Sequence, residues 1–400
     1  MRQGRVAGPE GPRMTTLYWT LLSLILFSLG GYGLLWMALA RLAPPRARHA
    51  EAPQRATLLI AARNEAADIG AKLRSLQEQD LGPHEVEILV VSDGSEDATV
   101  DRVRDAARAA DQTGGLRVTV IDRPGHDGKA AALNAGLSRI AANRVVIFSD
   151  ANSLLAPGAV RALLRPFSDP QVGGVAGRLD IPRGGGLMAR AERVFWRYDN
   201  ALKSAEDRLG GTVSSQGTLH AARRELVGEV PADMADDLVI SLGVVARGRR
   251  LAFAPGAVAQ EGVTGRTGAE FGRRVRSTER GWRGLWHHAG LMNPLCTGLY
   301  APQLFCHKAL RRLVAFLLPA FAAVNLALAG AGAFYALTLA GQAAVYGLAL
   351  AALVLPPARR VPGAAAAVLF TLGHAAMAWA ILRHAAGVRS TRWAPVRDAA

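Results

Sequence analysis

Two polar side chains follow a run of apolar residues in the middle of the chain. Residues 144–149 are rich in β-branched and aromatic types, which predicts a strand, and Asp150 and Asn152 come directly after it. Residues i and i+2 of an extended chain point to the same side, so both side chains can face one point. Their oxygens suit a hard cation, Mg²⁺ or Mn²⁺, with phosphate oxygens completing its shell. A strand end with an ordinary polar turn would show the same pattern.

Two further polar groups stand where a strand or a helix is expected to end or begin. Asp93 closes a predicted strand in an Asp-Gly-Ser turn and can accept hydrogen bonds from a base or a ribose. Lys129 follows a glycine and precedes a predicted helix, where it can pair with phosphate. A turn aspartate and a solvated lysine are the alternatives. The sequence contains no Walker motif, which excludes a P-loop ATPase.

Adjacent acids and a basic stretch occupy the second half of the chain. Asp236 and Asp237 open a predicted helix, either as partners of its dipole or as a general base for an acceptor hydroxyl. Trp282 and Trp286 suit either a membrane-interface anchor or a platform for stacking a sugar. An arginine cluster can neutralise a leaving diphosphate or lie as a belt at a membrane surface: Arg273, Arg274, Arg276 and Arg280.

The elements that must position these groups alternate between strand and helix. Apolar runs end at polar residues and are followed by helical patterns, which is typical of a doubly wound, mostly parallel α/β sheet. The strands expected are 57–62, 86–91, 116–121, 144–149, 173–179 and 251–258, with 214–221 a strand or a loop.

Charge-free apolar stretches flank this region. They cover residues 14–40 and 313–358, and residues 361–382 carry only His374 as a titratable group. A spanning helix needs about 20 apolar residues, so one N-terminal and three C-terminal spans are predicted. The resulting organisation is a polar leader (1–13), a transmembrane helix (14–42), a linker (43–56), a cytosolic catalytic domain (57–290), an irregular interfacial segment (291–312), transmembrane helices (313–382) and a basic tail (383–400).

The net charge of +15 points to an anionic partner. Much of the basic charge flanks the apolar stretches, which favours membrane lipids. No nucleic-acid-binding signature is present in the sequence, so nucleic acid is not expected as a partner.

The order of the polar motifs resembles the family-two inverting glycosyltransferases of the GT-A fold. It is most similar to their membrane-embedded branch, which includes cellulose, hyaluronan and poly-N-acetylglucosamine synthases. The resemblance covers roughly residues 57–290. The matching motifs are Ala62-Arg63-Asn64-Glu65, the segments 92–99 and 128–134, Ser149-Asp150-Ala151-Asn152, and Ala235-Asp236-Asp237.

The resemblance implies a nucleotide-sugar donor, usually a UDP-sugar, and a glycan or lipid-linked acceptor. Asp237 would be the catalytic base, and Asp150 and Asn152 would hold Mg²⁺ or Mn²⁺. The donor nucleotide and diphosphate would be bound by Ala62, Glu65, Asp93, Lys129, Asp150, Arg280 and Trp282. The enzyme would work in envelope polysaccharide or glycolipid synthesis at the inner cell membrane.

Three positions depart from the family pattern. Asn152 stands where a second aspartate is common, and Asp236 stands where glutamate is usual. The Gln-x-x-Arg-Trp motif of processive members is replaced by residues 277–282, which lack the glutamine and carry Trp282 one position later. Polymer synthesis and single transfer to a lipid acceptor therefore both stay open, beside a non-catalytic membrane scaffold.

The charges at the span ends leave the topology open. Arg41, Arg359 and Arg360 fit a cytosolic catalytic domain. Three C-terminal spans would then place Arg383 and Arg389 outside, against the positive-inside rule, unless one segment is interfacial or re-entrant.

Overall fold

The computed structural model describes residues 10–44, 50–182, 187–262 and 267–389. The first nine residues of the predicted leader, residues 45–49 of the predicted linker and residues 390–400 of the predicted basic tail lie outside these ranges. The rest comprises one α/β domain and a set of long apolar helices.

Eight strands of the described residues form one sheet, in the order β3-β2-β1-β4-β7-β6-β8-β5. Strands β3, β2, β1 and β4 are parallel, as are β6 and β8, whereas β7 and β5 run antiparallel to their neighbours. This confirms the predicted α/β fold with a mostly parallel sheet. The strands are β1 (Arg55–Ala62), β2 (Glu85–Asp93), β3 (Val118–Arg123), β4 (Val145–Phe148), β5 (Leu154–Leu155), β6 (Val172–Asp180), β7 (His220–Arg223) and β8 (Arg250–Gln260).

Helices cover both faces of the sheet and continue into the apolar segments. Wide π-helical segments, Phe27–Gly31 and Phe305–Leu310, each join two consecutive α-helices into one longer helix. The helices are α1 (Glu10–Leu26), α2 (Tyr32–Leu42), α3 (Ala66–Gln77), α4 (Thr99–Thr113), α5 (Lys129–Leu137), α6 (Ala159–Leu164), α7 (Leu187–Leu209), α8 (Asp236–Ala246), α9 (Thr267–His287), α10 (Pro294–Thr297), α11 (Tyr300–Leu304), α12 (Arg311–Leu328), α13 (Ala333–Val354) and α14 (Ala364–Ala385).

The central strands are apolar at almost every position because both faces of the sheet are buried. In β1, Leu58 and Ile60 join the core cluster that contains Leu73 of α3. Leu59 lies in the opposite cluster with Leu133 of α5. The parallel strands β1, β2 and β4 therefore sit in a packed frame, and their carboxyl ends reach the same edge of the sheet.

The second half of the domain departs from the predicted elements. The short strand β5 and helix α6 were not predicted, and segment 214–221 is a loop until β7 begins at His220. The predicted irregular segment 291–312 is helical from Tyr300 onward. Pro302 had suggested a break, but it lies in the first turn of α11, where the missing N–H has no helical partner to lose.

Four helices of the described residues are long and apolar enough to cross a membrane, one of them near the N-terminus. Their number and order confirm the predicted spans. Their bounds are Pro12–Leu42, Tyr300–Leu328, Ala333–Val354 and Ala364–Ala385.

The apolar helices pack directly on the α/β domain. The Tyr32 hydroxyl of α2 donates a hydrogen bond to Glu206 Oε1 of α7 at 2.7 Å, beside the packed side chains of Trp36 and Leu202. At the other end of the chain, α14 packs along α9. These contacts hold α7 and α9 of the α/β domain against the apolar helices.

The turn after β2 requires a glycine. Gly94 has a φ of +63°, and a Cβ there would lie 2.7 Å from the carbonyl oxygen of Gly125. Gly114, at the end of α4, has a φ of +65° but nothing within 4 Å.

We expect Gly94→Ala to lower the free energy of unfolding by roughly 3 kcal/mol or more, because backbone strain and a backbone clash combine. Gly114→Ala is the matched control. It introduces backbone strain without a clash and should lower the free energy of unfolding by about 1–2 kcal/mol. Thermal unfolding of both variants checks this. Equal losses would show that the approach of Gly125 is unimportant.

Candidate active site

Asp150, Lys129 and Asp236 form a connected charge network at the carboxyl end of β4. Lys129 Nζ lies 2.8 Å from Asp150 Oδ1 and 2.9 Å from Asp236 Oδ2. Helices α5 and α8 each begin at this point, with Lys129 and Asp236 as their first residues. The backbone of Gly217 closes the network from one side, since a Cβ there would lie 3.2 Å from Asp150 Oδ2. Three segments far apart in sequence thus meet at one point.

A buried lysine braces the turn that carries Asp150 and Asn152. Lys72 of α3 is fully buried, and its Nζ donates to Ser149 Oγ at 2.6 Å and to the Ser153 carbonyl oxygen at 2.6 Å. These two serines flank the turn on either side. Burial lowers the pKa of Lys72 to about 7, although the charge of Asp150 opposes that shift. This role of Lys72 was not predicted from the sequence.

The two adjacent aspartates have opposite electrostatic environments. Burial acts against the charged form of both. For Asp236, the cations Lys129 and Arg280 outweigh burial and lower the pKa below that of an ordinary aspartate. For Asp237, burial and the charge of Asp236 raise the pKa. Asp236 therefore stays ionised as a partner of Lys129, while Asp237 is the more basic carboxylate.

Lys129 keeps its charge in this setting. Burial by itself lowers the pKa of an ammonium group, but Asp150 and Asp236 outweigh it and raise the pKa of Lys129. A charged lysine thus bridges Asp150, the predicted cation ligand, and Asp236, which precedes the predicted base Asp237.

Asp93 organises the loop before α5. Its side chain is fully buried, and it accepts hydrogen bonds from the backbone N–H groups of Gly128 at 2.7 Å and Asp127 at 3.3 Å. Arg123 Nη1 lies 2.7 Å from Asp93 Oδ1. Asp93 therefore ties the end of β2 to the start of α5 and fixes the position of Lys129.

The predicted positions Ala62 and Glu65 lie at the end of the neighbouring strand. Ala62 is the last residue of β1 and is buried beside Ser92. Glu65 caps α3 with its backbone carbonyl, which accepts from the Ile69 N–H at 2.9 Å. The Asn64 side chain joins this loop to the one after Asp93 by accepting from the Glu96 N–H at 2.7 Å. The ends of β1 and β2 form one continuous rim.

The arginine cluster is divided among different partners. Arg280 donates from Nη2 to the Met234 carbonyl oxygen at 2.7 Å, just before the two aspartates. Arg274 pairs with Glu192 of α7 at 2.9 Å, and the charge of Arg273 acts on Glu261. Of the predicted cluster, Arg280 is the member that the structure brings to Asp236.

The two tryptophans differ in their surroundings. Trp282 is 4 % exposed and packs among leucine side chains of α8, α9 and α11, including Leu238 and Leu285. Trp286 meets it edge-on and is 52 % exposed. Trp282 therefore packs in a core cluster, and contact between its ring and a donor would require that cluster to open.

Oxygen groups that fit a divalent cation gather around Asp150. Asn152 is exposed, and its Nδ2 lies 3.5 Å from Glu261 Oε1 at the end of β8. Burial and the charge of Asp150 raise the pKa of Glu261 to about 7. Within the described residues, no cluster of three or more His, Cys, Asp or Glu side chains forms a ready-made metal cage. Mg²⁺ that is bound with a nucleotide is typically held by one or two protein oxygens together with phosphate oxygens. The side chains of Asp150 and Asn152 fit that arrangement.

The loop before β7 and the first residue of β7 hold buried polar atoms with no hydrogen-bond partner in the described structure. They are Ser214 Oγ, Gln216 Oε1 and His220 Nε2. His220 stacks on Phe148 of β4, and burial lowers its pKa to about 4, so the ring is neutral at pH 7. The charges of Lys129, Asp150 and Asp236 act on it, which places it beneath the network. Sequence reasoning missed this histidine because its neighbours in sequence carry no motif.

The fold and the charge network define a glycosyltransferase-type α/β domain. The chain belongs to the family described as Glycosyltransferase like family 2, whose family model matches residues 53–284.

Two curated relatives are N-acetylglucosaminyltransferases. The one from Rhizobium meliloti (strain 1021) is 26 % identical over 205 residues, which is 48 % of this chain and 46 % of the relative. The one from Rhizobium leguminosarum bv. viciae is 25 % identical over 218 residues, 51 % of this chain and 50 % of the relative. The match thus spans about half the length of each relative.

A solved structure extends the likeness to the apolar helices. It is a mannosyltransferase from Pyrobaculum calidifontis in complex with GDP-Man and Mn²⁺. It is 26 % identical with a TM-score of 0.68, over 92 % of this chain and 99 % of that chain.

Proposed function

We propose that this glycosyltransferase transfers one sugar from a nucleotide-sugar donor to an acceptor hydroxyl, with inversion at the anomeric carbon. The observation that carries the proposal is the charge network itself. Lys129 joins Asp150 to Asp236, and Asp237 follows with a raised pKa. A carboxylate that is more basic than usual, at the rim of a site built for anions, suits proton abstraction from a hydroxyl.

The chain's own residues divide the reaction between them. Asp237 takes the acceptor proton as the hydroxyl oxygen attacks the anomeric carbon. Lys129 holds positive charge beside the donor phosphates, and Arg280 adds a second cation near Asp236. Asp93 keeps the loop of Lys129 in place. Electrostatic stabilisation of the leaving diphosphate is then built into the domain before substrate binds.

A divalent cation would be held by Asp150 and Asn152, with Glu261 as a neighbour that the sequence did not predict. When bound, it would neutralise charge that develops on the leaving diphosphate. The mannosyltransferase of similar fold was solved with Mn²⁺ and GDP-Man, which supports a cation and a nucleotide sugar here.

The names of the relatives narrow the choice of donor. Donors of N-acetylglucosamine and of mannose are the first candidates, since two relatives are N-acetylglucosaminyltransferases and one similar structure contains GDP-Man. We further propose a multi-pass protein of the inner membrane with a cytosolic catalytic domain, related to the membrane-embedded synthases. The altered segment 277–282 and the buried Trp282 favour a single transfer over polymer synthesis.

Donor turnover with cation dependence tests the proposal. We expect the purified protein, with Mn²⁺ or Mg²⁺ and membrane lipid extract, to release nucleoside diphosphate from one donor in a panel of UDP- and GDP-sugars. Asp150→Ala should remove nearly all turnover, and a chelator should do the same to the wild type. Asp101→Ala, an exposed acid on α4, is the control and should keep full activity. No turnover of any donor, with the protein folded, would contradict the proposal.

A further inference from the structure

Two basic side chains of the helix that begins at Tyr300 lie between the apolar helices and the catalytic domain. Lys308 belongs to the π-helical segment, and Arg312 follows one turn later in α12. Arg312 Nη1 donates to the Lys308 carbonyl oxygen at 2.8 Å. Its Nη2 lies 2.8 Å from the place that a Cβ on Gly281 would occupy. The glycine beside Arg280 thus makes room for a cation from a membrane helix.

Neighbouring basic groups on the same helix contact carboxylates, whereas these two contact none among the described residues. His307 lies 2.8 Å from Glu206, and Arg311 lies 3.7 Å from Asp199. Within the residues that the structure describes, Lys308 and Arg312 have no carboxylate oxygen within 4.0 Å. Both are half-buried. The charges of Asp199 and Asp237 act on Lys308, and that of Asp237 acts on Arg312, but none of them is in contact. Partly buried cations without a contacting anion are costly, so an anionic partner is expected at this position.

The position of the two cations points to the acceptor and away from the donor. Both act electrostatically on Asp237, the proposed base. Asp150, on the proposed donor side, has Lys129 as its partner instead. A π-helical segment widens the turn that carries Lys308, and such segments often re-aim side chains at functional sites.

We propose that Lys308 and Arg312 bind the phosphate of the acceptor, and that the acceptor is a phosphorylated lipid with a free hydroxyl in its headgroup. The phosphate is held by the two cations while the hydroxyl faces Asp237. The lipid assignment follows from the helix that supplies both cations, Tyr300–Leu328, which is apolar enough to span a membrane. The acceptor role rests on the proposed function, whereas binding of the phosphorylated lipid can be measured without any turnover.

Binding of three matched probes to the full-length protein in detergent tests the proposal by calorimetry. Lysophosphatidylglycerol carries an acyl chain, a phosphate and free hydroxyls. Monoacylglycerol lacks the phosphate, and glycerol 3-phosphate lacks the chain. We expect the wild type to bind lysophosphatidylglycerol at least tenfold more tightly than either of the others, because charge-assisted hydrogen bonds are strong.

The variants Lys308→Gln, Arg312→Gln and their combination should weaken binding of lysophosphatidylglycerol about tenfold or more, and leave binding of monoacylglycerol as it was. Arg360→Gln, an exposed arginine between two spans, is the matched control and should bind all three probes like the wild type. Circular dichroism and thermal unfolding show that the variants are folded. Binding of UDP and GDP with Mn²⁺ then shows separately whether the donor side is intact.

Three outcomes would overturn the proposal. The first is equal binding of lysophosphatidylglycerol by the wild type and the double variant. The second is binding of glycerol 3-phosphate as tight as that of the lipid, which would indicate a site for free phosphate. The third is loss of UDP or GDP binding together with lipid binding, which would assign both cations to the donor. Failure of donor turnover in the wild type would bear on the proposed function alone.

Discussion

Replacing Asp237 by asparagine should lower kcat roughly 100- to 10,000-fold, the range that general-base catalysis contributes. Asparagine keeps the shape of the side chain and its acceptance of the Leu238 N–H, seen at 2.8 Å, but it cannot take a proton. The KM for the donor should change little, because Lys129 and Asp150 remain in place. Steady-state release of nucleoside diphosphate, with the donor identified by the panel, measures both constants.

Asp233→Asn is a matched control for this variant. Asp233 stands three residues before the acidic pair and lies 3.5 Å from Arg283, away from Lys129. It should keep kcat within a few fold of the wild type. If Asp237→Asn retained normal turnover, the base would have to be another group, or the chain would be the non-catalytic scaffold that the sequence also allowed.

Replacing Lys129 by methionine should destabilise the domain by about 3–5 kcal/mol. Methionine fills similar space, but it leaves the carboxylates of Asp150 and Asp236 without the ammonium group that bridges them. The midpoint of thermal unfolding should fall by at least about 6 °C. Binding of nucleoside diphosphate should weaken as well, since the cation nearest the phosphates is gone.

A double variant separates repulsion from loss of packing. Lys129→Met with Asp236→Asn removes one of the two uncompensated charges, so it should recover part of the lost stability. The exposed pair of Arg108 and Asp105 offers a control, because Arg108→Met removes a surface ion pair worth at most about 1 kcal/mol. An equal effect of Arg108→Met and Lys129→Met would contradict a partly buried, functional network.

The ends of the strands were predictable because burial on both faces leaves a strong apolar signal. The runs before Asp93 and Asp150 could be read directly, and parallel strands bring such ends to one edge. Lys129 was predicted as a phosphate partner for a different reason, because it follows a glycine at a helix start. These residues do meet in the structure.

Roles that depend on packing between distant segments could not be predicted. Lys72 resembles any surface lysine in sequence, yet it braces the turn of Asp150 from beneath. Glu261 and His220 come near the site through strands late in the chain. Trp282 lies in a stretch that resembles a family motif, which suggested contact with the donor. In the structure its ring packs among leucine side chains instead.

The segment around Lys308 shows a different limit of sequence reasoning. Two prolines and an uncharged stretch suggested irregular chain, and the flanking basic residues suggested a general attraction to lipid headgroups. Only the three-dimensional arrangement shows that Arg312 reaches the backbone beside Arg280 and that Arg311 turns to Asp199 instead. Adjacent arginines with different partners cannot be told apart by composition.

The anomeric configuration of the product tests the central claim most directly. Proton NMR of the product formed from the identified donor shows whether its anomeric carbon has the donor's configuration or the opposite one. A single displacement, with Asp237 as the base and the acceptor oxygen as the nucleophile, predicts the opposite configuration. Retention of the donor's configuration would contradict the role given to Asp237 and the mechanism built on it.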